Sequence, residues 1–63
     1  MTSKAVSTAV DQAFFAAQQV VYYRKQPNAA VFVEHHEIMT VIYAKLAILE
    51  IEKIAYEEGK NHE

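Results

Sequence analysis

The sequence predicts an all-α fold: a two-helix antiparallel hairpin, dimerising into a four-helix arrangement. Three observations predict it. One Pro-Asn step, Pro27-Asn28, interrupts a chain that holds a single Pro and a single Gly. Apolar residues on both sides of that step recur at helical spacing. The second half is apolar on two faces, which is more than one neighbouring helix can cover.

The totals set the scale. Sixty-three residues, 52% of them hydrophobic, make one small domain over residues 1–63 and argue against disorder. A hairpin of this length buries a thin core and commonly needs a disulfide, a metal or a second subunit. The chain has no cysteine, so disulfides and thiolate metal sites are excluded and a second subunit remains. The formal net charge of −2 argues against a dedicated nucleic-acid binder, because phosphate contacts need clustered Lys and Arg.

The first helix is expected over about residues 3–25. Thr2 or Ser3 can cap its free N–H groups, and Arg24 and Lys25 place positive charge at its C-terminal end. Pro27 disfavours helical geometry at Gln26, so a turn is expected over about 26–29. Asn28 then reads as the N-cap of a second helix over about 30–58, with Glu34 and Glu37 near its start. Gly59 reads as its C-terminal cap, leaving 59–63 as a frayed tail. Val31-Phe32-Val33 has strand character, but no partner strand exists elsewhere in the chain.

Stepping about 100° per residue shows what each helix would bury. On helix 1, Val6, Ala9, Val10, Ala13, Phe14, Ala17, Val20 and Val21 fall on the face expected to meet helix 2. Opposite lie Asp11, Gln18 and Gln19, and among them Phe15 and Tyr22, two aromatics on a face that should be wet. Helix 2 carries one apolar stripe at Ile38, Met39, Ile42, Leu46 and Leu49. A second runs through Val41, Ala44, Ile48, Ile51 and Ala55, with Lys45 and Glu52 between the two. Helix 1 can cover only one, so the second stripe is the expected homodimer interface.

Candidate chemistry is sparse. Glu34-His35-His36-Glu37 is the one cluster that resembles a ligand set, but adjacent residues on a helix diverge by about 100°, and no Glu-x-x-His or His-x-x-x-His spacing occurs. A polar first turn explains it, and no metal or cofactor is expected. Ser3 and Ser7 have no His at helical spacing, no Gly-rich loop can hold a phosphate, and Glu50, Glu52, Glu57 and Glu58 are expected on an open face. An enzyme is therefore not expected. Arg24-Lys25 with Tyr22-Tyr23 is the only basic-aromatic patch, and it supplies few phosphate contacts. Phe15 and Tyr22, rimmed by Asp11, Gln18 and Gln19, are the candidate partner-binding surface. The competing reading packs both rings against the second protomer or against Val31-Phe32-Val33 folding back, and would leave a helix 2 face around Thr40, Tyr43 and Glu50 as the next candidate.

The N-terminus does not read as a secretory signal, and charges at Lys45, Glu50, Glu52 and Lys53 break the most apolar stretch, so no membrane span is expected. Taken whole, Ala9-Val10-Asp11-Gln12-Ala13-Phe14-Phe15, Tyr22-Tyr23-Arg24-Lys25-Gln26-Pro27-Asn28, Glu34-His35-His36-Glu37 and Ala47-Ile48-Leu49-Glu50-Ile51-Glu52 resemble the small early open-reading-frame products of the exonuclease–excisionase region of lambdoid bacteriophages. The resemblance spans the full chain and rests on overall likeness and length, with no diagnostic motif. It implies a helical, dimer-forming regulatory protein, made early in phage development, that influences the choice between lytic growth and lysogeny. It also implies action in the host bacterial cytoplasm on an unidentified host or phage protein. No functional residues are carried over from it. A small nucleic-acid-associated regulator using the basic end of helix 1 is the alternative.

Overall fold

The computed structural model describes residues 3–61, with residues 60 and 61 by backbone alone. Two helices, α1 (Lys4–Arg24) and α2 (Ala30–Asn61), pack side by side as an antiparallel hairpin. The hairpin is long and thin, 56 × 16 × 10 Å. Among the described residues no helix is long and apolar enough to cross a membrane.

Each boundary has a local cause. Ser3 is extended, and its hydroxyl accepts the Val6 N–H at 3.1 Å while its carbonyl accepts Ser7 N–H at 3.0 Å, which caps α1. Thr2, the other expected cap, lies outside the described residues. At the far end the bonds tighten to three-residue steps, Lys25 N–H to the Tyr22 carbonyl and Gln26 N–H to the Tyr23 carbonyl. Pro27 then carries the chain out of the helix. Asn28 does not cap α2 as expected. It takes a left-handed conformation, φ 56°, which reverses the chain. The cap position belongs to Ala29, whose carbonyl accepts Val33 N–H at 3.0 Å and which has no side-chain oxygen to offer. Val31-Phe32-Val33 is helical, and neither Glu34 nor Glu37 falls in the first turn. Gly59 does not terminate α2 either. The helix runs through it to Asn61, without the positive φ that a glycine cap requires, so residues 59–61 of the expected tail are helical and the remainder lie outside the described residues.

The seam between the helices is built from small residues. Buried are Val6, Ala9 and Ala16 of α1 with Ala29, at the start of α2, and Ala47 within it. Ala13, Val20 and Tyr23 complete the α1 side, half-buried, and the α2 side continues through Val33, His36, Thr40, Tyr43, Glu50 and Ile54. Both rows keep the alternating three- and four-residue spacing of a coiled-coil seam. Alanines favour a close approach of two helices, and the larger seam side chains, Tyr23, His36, Tyr43 and Ile54, are only half-buried. This corrects the expected core: Val10, Phe14 and Val21 are 49%, 66% and 57% exposed. On α2 Ile38, Ile42 and Leu49 of the expected stripe are exposed, Leu46 stands at the rim of a groove against α1, and only Met39 is half-buried. Thr40, Tyr43 and Glu50, expected on an open face, line the seam instead.

The turn end is clamped by rings. Tyr23 stacks on Phe32 and on His36, with ring centres 5.2 and 5.3 Å apart. Tyr22 meets Tyr23 edge to face at 5.1 Å, and His35 meets His36 the same way at 5.0 Å. Arg24 bonds Glu37 across the helices at 2.8 Å. Both side chains are about half exposed or more, so this pair contributes only a few tenths of a kcal/mol, and the ring stack carries more of the closure.

Candidate functional site

With alanines inside, the large apolar side chains are left on the surface, and their placement is orderly. A groove between the helices is lined by Ala17, Val20, Glu37, Thr40 and Val41. It marks the side of the hairpin on which the second stripe of α2 lies. Val41, Ile48 and Ile51 there are each just over half exposed, and Ala44 and Ala55 are exposed beside them. Turning α1 by about 100° per residue brings Val10, Phe14, Ala17 and Val21 to the same side. These four follow four-, three- and four-residue steps and alternate with the seam row, so α1 carries two adjacent coiled-coil rows.

The antiparallel register aligns the rows. Tyr23 opposite His36 and Ala9 beside Tyr43 and Glu50 set the levels. Val10 then lies near the level of Ile48, Phe14 near Ala44, Ala17 beside Val41 and Val21 near the level of Glu37. The result is one continuous apolar face made by both helices. The Arg24–Glu37 ion pair sits at its turn end. The α2 half of this face is the stripe expected to form the dimer interface, whereas the α1 half was assigned to the interior. The signal that separates them is spacing: 10, 14, 17, 21 is a row distinct from 6, 9, 13, 16, 20.

The opposite groove is lined by Ala5, Thr8, Ala9 and Gln12 with Tyr43, Leu46 and Glu50. Beyond it, on the outer side of α1, lie Phe15 and Tyr22, 57% and 54% exposed. Asp11 and Gln18 beside them are exposed and Gln19 is half-buried. Two residues seven apart on one line stand about 10 Å apart along the axis. The Val31-Phe32-Val33 segment does not fold back over them, since it lies within α2.

The charged and metal-like clusters acquire definite partners. His36 Nδ1–H donates to the Phe32 carbonyl at 2.7 Å, and Thr40 Oγ1 donates to the His36 carbonyl at 2.7 Å. The bond to Phe32 occupies one ring nitrogen of His36, and His35 meets that ring edge to face. Among the described residues no three His, Asp or Glu side chains are placed to share a metal ion. In the basic patch, the Arg24 guanidinium donates to the Glu37 carboxylate at 2.8 Å. Glu50, expected with the open carboxylates, is half-buried on the seam, while Glu52, Glu57 and Glu58 are exposed. The chain matches no protein-family model, no curated protein and no solved structure.

Proposed function

We propose that this chain is a non-enzymatic regulatory protein that acts by binding other proteins and works as a homodimer of hairpins. The observation that carries this reading is the continuous apolar face formed by Val10, Phe14 and Val21 with Val41, Ile48 and Ile51, each of which is about half exposed or more in the single chain. A contiguous face of that kind marks an interaction site, and covering it with the same face of a second copy gives four helices around a common core. The dimer interface is Val41, Ala44, Ile48, Ile51 and Ala55, now with the four α1 residues added.

Phe15 and Tyr22, on the other side of α1 with Asp11, Gln18 and Gln19 as a polar rim, are the proposed contact for an unidentified host or phage protein. A dimer presents that patch twice and so favours a symmetric or bivalent partner. The resemblance to early lambdoid phage proteins supports a role in the choice between lytic growth and lysogeny, inside the cytoplasm of the bacterial host. Nucleic-acid binding through Arg24 and Lys25 is the weaker reading, because Glu37 engages half of that patch.

Light scattering at micromolar concentration tests the dimer, and a well-folded monomer there refutes it. Capture from phage-infected lysate tests the partner surface. Phe15→Ala with Tyr22→Ala should leave dimer mass and melting temperature nearly unchanged and abolish capture. A large loss of stability in the double variant would show that the rings are structural and would remove this surface from the proposal.

A further inference from the structure

The ridge of α2 that points directly away from α1 carries two opposite charges in an aliphatic setting. Lys45 and Glu52 are seven residues apart, both exposed, and sit about two turns from each other along one line. The helical neighbours of Lys45, three and four residues away, are Val41, Ile42, Ile48 and Leu49. Those of Glu52 are Ile48, Leu49, Ala55 and Tyr56. Neither charge has an opposite charge at the spacing that pairs side chains on a helix. Among the described residues the one ion pair is Arg24–Glu37, at the other end of the hairpin.

The apolar residues around them form a row of their own. Val31, Ile38, Ile42, Leu49 and Tyr56 are 77%, 51%, 43%, 59% and 73% exposed. With His35, Lys45 and Glu52 they keep an unbroken four–three spacing from Val31 to Tyr56, the pattern of a helix that has another helix lying along it. A lone charge within such a row fixes the orientation and register of the partner.

We propose that this outward row is a second self-association surface, on which α2 of another copy lies antiparallel with Lys45 of each chain paired to Glu52 of the other. Charge complementarity selects that arrangement. An antiparallel pairing centred near Leu49 brings each Lys45 within about one turn of Glu52 of the second copy, and it does so twice. A parallel pairing would set Lys45 against Lys45 and Glu52 against Glu52, which like charges oppose. α1 takes no part, so the contact is independent of the apolar face of the preceding section. The α2 stripe of that face, Val41 to Ala55, is also centred on Ile48, so the two contacts are compatible with a closed four-chain assembly.

Sedimentation velocity over a range of concentrations tests this with variants on the exposed surface. Wild type should pass from four chains to two on dilution. Lys45→Glu and Glu52→Lys should each weaken the four-chain species at least about tenfold, since each sets like charge against like. The double variant, Lys45→Glu with Glu52→Lys, should restore it, and 1 M salt should weaken the wild-type contact. Phe14→Asp breaks the other face and should leave a dimer held by the outward row alone. If the single charge reversals leave assembly unchanged, or if the double variant fails to restore it, the inference is overturned. If Phe14→Asp yields monomers from a wild-type dimer that ignores Lys45→Glu, the face reading stands and this one falls. The reverse result retains the outward row and removes the face.

Discussion

Phe14→Ala distinguishes the expected interior role of Phe14 from the observed one. Were the ring part of the hairpin core, truncation would destabilise each chain by about 3–5 kcal/mol at any concentration. In the structure it is 66% exposed, so little of its burial belongs to the hairpin. Complete burial of such a side chain contributes about 1.5–3 kcal/mol, which puts the uncovered two-thirds at about 1–2 kcal/mol per ring. A symmetric dimer covers two rings, so Phe14→Ala should weaken dimerisation by about 2–4 kcal/mol, on the order of 30- to 700-fold in Kd. The assay is sedimentation equilibrium paired with thermal melts at two concentrations tenfold apart. The variant should melt lower and show a concentration dependence shifted upward, because dimerisation stabilises the fold by mass action. A dimer constant within threefold of wild type would refute the placement of Phe14 on the interface. So would a melting temperature lowered equally at every concentration.

Two further predictions concern the hairpin itself. Ala16, on the seam, is 4% exposed, so Ala16→Leu should overpack it and cost about 1–3 kcal/mol, seen as a lower midpoint in denaturant melts, whereas Gln18→Leu on the open side should change the midpoint little. Asn28 holds φ 56°, so Asn28→Gly should be close to neutral and Asn28→Ala should cost on the order of 1 kcal/mol by the same measurement.

Helix number, the turn and most boundaries were legible because their signals are local. Ser3 caps, Pro27 interrupts, and the apolar period persists on either side. The faces were harder, and Phe14 and Ala16 show why. Reading a helix by the size of its apolar residues ranks Phe14 as core, yet the neighbour that packs most closely selects Ala16. On α2 the true seam includes His36, Thr40 and Glu50, which no hydrophobic count selects, and it lies between the two stripes that such a count does select. When a helix has several neighbours, its hydrophobicity reports all of them together. The individual rows appear only in the four–three spacing and in the position of small residues. Asn28 and Gly59 failed as caps for a different reason. Each residue type serves two roles, and a left-handed turn at Asn28 and a helix continuing through Gly59 were set by the backbone on either side.

The distribution of side-chain size connects fold to proposed function. Among the described residues the buried ones are Val6 and four alanines, while Phe14, Ile48, Leu49 and Ile51 are each more than half exposed. Covering alanine gains little apolar area, and covering Phe, Ile or Leu gains much more. A hairpin closed on alanines is therefore held chiefly by proximity, helix propensity and the Tyr23–Phe32–His36 stack, and its larger reserve of burial lies outside it. On the proposed assembly that reserve is used between chains, so folding and association are one process. The same economy explains the face occupied by Phe15 and Tyr22. It lies away from the apolar side of α1 that the proposed dimer would cover, so those two rings would remain available once the other large side chains were enclosed.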